Sequence, residues 1–166
     1  MPPSSSSSPS DQLAAERADV PRVAPAATPR APGTFGRFLH DAMAALHREH
    51  PQAWAGVCKA LRSRRVTLRV DAEIVPLRFG AEQVAFTPFA PAAHVELATD
   101  RPTIHALVDG ELSLESAVRH NRLRLSGAPA DLIRFHEGLL CWLHGAVRSP
   151  SFPALLAGFR QTEGDA

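Results

Sequence analysis

The sequence has no strong excess of either charge, no paired cysteines and no long apolar run, and each absence closes off a class of function. Lysine and arginine number 18 against 17 aspartates and glutamates, a formal net charge of +1. No global field therefore draws the chain onto nucleic acid or an acidic membrane, and electrostatic binding has to be local. Cys58 and Cys141 form no CxxC pair and each falls in a helical apolar pattern, so buried free thiols in a reducing compartment are expected. No stretch approaches the ~18 uninterrupted apolar residues of a spanning helix. The start, MPPSSSSSPSDQ, lacks the basic beginning and apolar run of a secretory signal. A protein that is not transmembrane, and is cytoplasmic, is expected. GxSxG, HExxH, P-loop and GxGxxG motifs are also missing, so no specific signal supports an enzyme.

What is present is a low-complexity start followed by one domain. Residues 1–33 hold six serines, seven prolines and no aromatic residue, too little apolar surface to offset the entropy of ordering, and are expected to form a disordered tail. Residues 34–160 are the expected domain and 161–166 a flexible end. Phe38, Leu39, Ala42, Ala45 and Leu46 recur at helical spacing after Thr34, a candidate cap, and Pro51 ends that helix and opens a second through Leu61.

From Arg65 the period becomes two. RVTLRV alternates Val66, Leu68 and Val70 with Arg65, Thr67 and Arg69, the pattern of a half-buried strand. IVPLRF (residues 74–79), QVAFTPF (83–89) and VELAT (95–99) follow as strands, with Pro76 and Pro88 pointing to edges or bulges. Thr99 or Asp100 caps a short helix that ends at Gly110, Ser113 opens LESAVRH, and RLRLSG returns as a fifth strand. Asp131 to about Val147 reads as a long helix, apolar around so much of its girth that it is buried on two sides or lines a cavity. FPALLAGF is a last short helix, either a movable lid or a docked cap.

Residues 99–127, TDRPTIHALVDGELSLESAVRHNRLRLSG, resemble the sterol carrier protein 2 (SCP2) domain family. The motifs are Thr99-Asp100, Asp109-Gly110-Glu111-Leu112, Ala117-Val118 and Leu123 to Gly127; His120-Asn121 stands where many members have Gly-Lys, and the chain ends in GDA without a peroxisomal address. The resemblance implies an α/β (α+β) fold, a mixed sheet of about five strands with helices on one face, enclosing an apolar tunnel. It implies non-enzymatic binding and carriage of a sterol, fatty acyl chain or other lipid, with no cofactor. The lining residues expected on that basis are Phe38, Leu68, Leu77, Phe86, Leu107, Phe135, Leu139, Leu143, Phe152 and Leu156. An accessory or scaffold protein presenting hydrophobic intermediates, such as prenylated quinone precursors, to partner enzymes is the alternative.

Other constellations carry less. His40, His47 and His50 share a helix face, but His40 and His47 are two turns and ~10.5 Å apart, too far to share one metal ion, and no metal is expected. His136 and His144 read as structural histidines. Arg65, Arg69, Arg78, Arg122 and Arg124 fall between apolar strand positions and can crowd the outward sheet face, either as an ordinary solvated face paired with Glu73, Glu82 and Glu96, the reading favoured, or as a surface where partner enzymes or a membrane make transient contact. Phe79 and Phe86 lie in the apolar alternation instead of on that face, so nucleic acid is not an expected partner.

Overall fold

The computed structural model describes residues 33–88 and 92–162. The expected tail, residues 1–33, lies outside these apart from Gly33, as do Phe89 and the last four residues. The element order is α1 (Thr34–Glu49), α2 (Pro51–Leu61), β1 (Arg65–Val70), β2 (Glu73–Phe79), β3 (Val84–Phe86), β4 (Val95–Thr99), α3 (Arg101–Val108), α4 (Leu114–Arg119), β5 (Arg124–Gly127), α5 (Pro129–Ala146) and α6 (Phe152–Gln161).

The strands form one mixed sheet in the order β3-β2-β1-β4-β5, with β1 and β4 parallel and the other pairs antiparallel. Paired residues share a face, so register sorts the side chains. Val66, Leu68 and Val70 stand beside Leu77, Val75 and Glu73 on one side and Val95, Leu97 and Thr99 on the other. This is the inner face, and the buried apolar residues of the helices complete the core against it. Arg65 and Arg78 are paired on the outer face, as are Thr67 with Pro76 and Glu96, and Arg69 with Ile74 and Ala98.

Three details differ from expectation. Pro76 lies in β2, an interior strand by order. Phe79 N–H donates to Arg64 O across the β1 side, and alternation then points the Pro76 nitrogen toward β3. There β3 has already ended, paired only over Leu77–Phe79, so no ladder bond is lost. Second, the 83–89 strand shrinks to Val84–Phe86, since beyond Thr87 the chain leaves to cross to β4 and His94 N–H donates to Arg65 O. Third, Arg122 is not on a strand: Asn121 turns left-handed (φ 56°) and β5 begins at Arg124.

Helix ends are held by specific partners. Asp100 caps α3 by accepting from Thr103 N (2.7 Å), which holds its carboxyl below the usual range, and Ser113 caps α4 by accepting from Ser116 N (3.1 Å). Gly110 takes the expected left-handed conformation, φ 75°. Thr34 does not cap α1; the N-cap is Gly33, whose side contributes nothing, and Glu73 from β2 serves instead.

The long helix α5 packs closely on α2 because small residues sit at the crossing. A Cβ on Gly138 would stand 2.9 Å from Leu61 Cγ, and one on Gly56 2.9 Å from Cys141 Sγ. The last helix is a docked cap. Phe159 stacks on Phe38 at 4.6 Å, Phe152 lies 6.2 Å from the same ring, and Glu49 at the end of α1 accepts from the Ser149 and Ser151 hydroxyls.

Candidate functional site: an apolar cavity between sheet and helices

A cavity of about 430 Å³ opens between the inner face of the sheet and the helices, within the range of ~300–1,000 Å³ typical of small-molecule sites. Its floor is Val66, Leu68 and Val70 of β1, Leu77 and Phe79 of β2 and Leu97 and Thr99 of β4. Phe35, Phe38, Leu39 and Met43 of α1 and Val57 and Leu61 of α2 close one side. Ile104, Leu107 and Val108 of α3, then Leu112, Ser113 and Leu114, form a second wall facing Phe135, Gly138, Leu139, Trp142 and Leu143 of α5, with Phe152 of α6.

The lining is apolar apart from two hydroxyls and the Trp142 indole, whose Nε1 is buried without a hydrogen-bond partner among the described residues. No acid, base or thiol belongs to it. Its two hydroxyls are already engaged: Thr99 Oγ1 donates to Arg122 O (2.9 Å) and Ser113 Oγ accepts from Ser116 N. The Trp142 ring meets Phe152 edge-on, centroids 5.7 Å apart. Such a space offers an apolar ligand dispersion contacts and release from water, about 0.8 kcal/mol per methylene buried, and offers a reacting centre nothing.

The mouth is legible from burial. Lining residues on α1, α2 and β2 are buried, whereas those on α3, the α3–α4 connection, α4 and much of α5 keep solvent exposure, Val108 and Ser113 most clearly. The opening therefore lies between the α3–α4 unit and α5.

Of the expected lining residues, Phe38, Leu68, Leu77, Leu107, Phe135, Leu139, Leu143 and Phe152 stand on the cavity. Phe86 does not. It sits on the three-residue edge strand β3, half-buried, with its ring 5.5 Å from His40. Leu156 is buried in α6 within the core and does not reach the space. Sequence reasoning missed Met43, Val57, Leu61 and Leu112, which any packed core would use equally; Gly138 was missed for the lack of a side chain.

The remaining candidates lie elsewhere. His47 stacks on Trp54 at 5.1 Å, and His40 contacts Asp41 at 3.1 Å. Among the described residues no group of three or more histidines, cysteines, aspartates or glutamates is arranged to hold a metal. His136 and His144 are exposed on α5 and outside the lining. Both cysteines are free; burial pushes the Cys58 thiol up, and Cys141 is half-buried against α2. Arg65, Arg69, Arg78 and Arg124 do share the outer sheet face. Arg65 donates to Ala92 O (2.9 Å) and Arg69 lies 3.8 Å from Glu96, while Arg78 and Arg124 have no ion pair among the described residues. No described helix is long and apolar enough to cross a membrane.

No family model matches the chain, and no protein of curated function does. Among solved structures it is similar to a "UbiJ-SCP2 Ubiquinone synthesis protein", at 17% identity and a TM-score of 0.47 over 61% of this chain and 88% of that one. A sterol carrier protein 2 like 2 from Aedes aegypti matches at 13% identity and 0.43, over 63% and 94%. The sterol carrier protein domain 2 of Helicoverpa armigera matches at 10% and 0.47, over 69% and 90%. The matches also include a sec-alkylsulfatase from Pseudomonas, at 15% identity and a TM-score of 0.38, over 47% of this chain and 13% of that one.

Proposed function

We propose that the protein binds and carries a sterol, fatty acyl chain or other lipid in this cavity, without catalysing a reaction. The observation that carries the reading is the lining: about 430 Å³ of space with no titratable side chain on its walls. An apolar cavity of this kind gains nothing from water and much from hydrocarbon. The residues assigned to contact are Phe38, Leu68, Leu77, Leu107, Phe135, Leu139, Leu143 and Phe152, and the cytoplasm is the compartment proposed. Native mass spectrometry of the purified chain, followed by solvent extraction, tests the reading. A stoichiometric lipid of defined mass supports it; a bare chain that stays bare after incubation with mixed lipids overturns it.

The scaffold reading is favoured by a separate observation, the outer sheet face, where Arg65, Arg69, Arg78 and Arg124 face one acid, Glu96. Here a partner enzyme would dock on the arginines while the cavity holds its hydrophobic intermediate. Charge reversal at Arg78 and Arg124 separates the two roles. Loss of partner association with ligand affinity intact supports docking, and unchanged association removes it.

A further inference from the structure

The protein has two tryptophans, and their ring nitrogens are provided for differently. Trp54 Nε1–H donates to Glu82 O at 3.0 Å, the usual arrangement for a buried indole. Trp142 Nε1 is buried as well, yet it has no hydrogen-bond partner among the described residues. A buried donor without an acceptor is costly, and native structures keep few of them. This one belongs to a residue on the wall of the cavity.

Nothing else on the described wall relieves it. The two hydroxyls of the lining bond elsewhere, Thr99 to Arg122 O and Ser113 to Ser116 N. The Phe152 ring, edge-on with its centroid 5.7 Å from that of the indole, is no more than a weak acceptor. A water molecule held inside a protein needs several polar partners, and Leu139, Leu143 and Phe152, the described lining beside Trp142 on α5 and α6, provide none. What remains is an acceptor that arrives with the ligand.

We propose that the lipid carried in this cavity is uncharged and bears a hydroxyl or carbonyl oxygen, which accepts from Trp142 Nε1–H inside the cavity. The assignment rests on the lipid-carrier reading and narrows it. Trp142 is half-buried, with its ring on the wall and its nitrogen on the covered side, so the indole turns about its Cβ–Cγ bond as the oxygen arrives. A carboxylate or phosphate is a poor fit at this position. The described lining holds no cation, and one indole N–H replaces little of the water an anion gives up on entering. A fatty acid therefore binds with its carboxylate left in water at the mouth, and without this bond. A bare hydrocarbon fills the space and leaves the nitrogen unpaired. An alcohol or a ketone satisfies both the apolar walls and the one free donor.

Displacement of a fluorescent fatty acid from the full chain by hexadecanol, hexadecane and palmitate, each delivered from cyclodextrin, is the test. Trp142→Phe keeps an aromatic ring on the wall and removes the N–H. It should weaken hexadecanol about tenfold, the effect of one buried hydrogen bond lost, and leave hexadecane and palmitate as they were. Proton NMR of the unchanged chain gives a readout that needs no variant. The indole N–H signal of Trp142 should move downfield with hexadecanol and not with hexadecane, while that of Trp54 stays in place. A variant that weakens all three ligands alike, or an indole signal that hexadecanol does not move once bound, would overturn the assignment and leave the carrier reading standing. A chain that takes up neither the fluorescent fatty acid nor any of the three ligands removes the carrier reading, and the assignment with it.

Discussion

Glu73, the first residue of β2, accepts the backbone N–H groups of Phe35 (2.9 Å) and Gly36 (2.7 Å), so a strand caps the first turn of α1 across 37 to 38 residues of chain. Its pairing with Val70 places it on the inner face at the end of the sheet. Arg101 of α3 lies 3.9 Å from the same carboxylate, 3.5 Å from Asp71, and over the Phe159 ring at 5.5 Å. One acid thus ties together the ends of α1, β2, α3 and α6, the frame around one end of the cavity. A Cβ on Gly33 would stand 2.4 Å from Glu73 Cδ, which is why the cap position is glycine.

Replacing Glu73 by alanine should therefore cost more than a surface carboxylate does. Loss of the cap is worth about 1–2 kcal/mol, read as a lower midpoint in urea unfolding with an unchanged slope. Gly33→Ala should reproduce part of that loss by pushing the carboxylate off the helix end. A midpoint unchanged in both variants would show that water caps α1 equally well.

Helix packing gives an internal contrast between two glycines. A Cβ on Gly145 of α5 would meet Leu46 Cδ1 at 2.2 Å and Ala53 Cβ at 2.8 Å, whereas one on Gly158 of α6 meets nothing within 4 Å. Gly145→Ala should destabilise by about 1–3 kcal/mol through overpacking. Gly158→Ala should stabilise by roughly 0.5–1 kcal/mol through helix propensity and the stiffer unfolded chain. Equal effects in the two variants would mean that α5 moves freely against α1 and α2.

How much of this was readable beforehand depends on whether a residue's role is local. RVTLRV and VELAT alternate cleanly and became β1 and β4 at the expected bounds, and Pro51 and Asp100 marked helix starts because capping is a short-range effect. The role of Glu73 was not visible, since nothing near it in sequence says that its partner is α1. Arg122 was misplaced because one left-handed residue, Asn121, delays β5. For the cavity, Leu68 and Phe135 followed from apolar phase, but Phe86 has the same phase and sits beyond the space, on a strand too short to reach it. Periodicity finds the inner face; only the arrangement of helices decides which part of that face stays uncovered.

Acid should weaken the α5–α6 connection through Glu49. Hydrogen bonds from Ser149 and Ser151 hold the Glu49 carboxyl at about 2, down from 4.5. A carboxyl whose folded value is depressed contributes stability that is fully present above its unfolded value and is lost as pH falls through the folded one. Its contribution should be complete above about pH 4.5 and fade toward pH 2. Glu49→Gln should flatten that part of the stability profile and leave the neutral-to-alkaline part parallel to the original. A variant whose profile keeps the same slope below pH 4.5 would assign the acid loss to other carboxylates.

The cavity makes a prediction about chain length that a surface site would not. If the ligand lies between sheet and helices, each added methylene gains about 0.8 kcal/mol, so affinity for saturated fatty acids should rise about fourfold per carbon until the space is filled and then level off. Leu68, on the strand floor, and Leu143, beside the mouth, should alter this curve differently. Leu68→Phe removes room at the floor and should shorten the length at which affinity levels off, with short chains bound as before. Leu143→Asp puts a charge where every chain must pass and should weaken all lengths together by at least about tenfold, because an unpaired carboxylate beside hydrocarbon is costly. Leu143 is half-buried, so circular dichroism must accompany the binding assay to show the variant folded. A flat length dependence, unmoved by Leu68→Phe, would place the bound lipid outside the cavity.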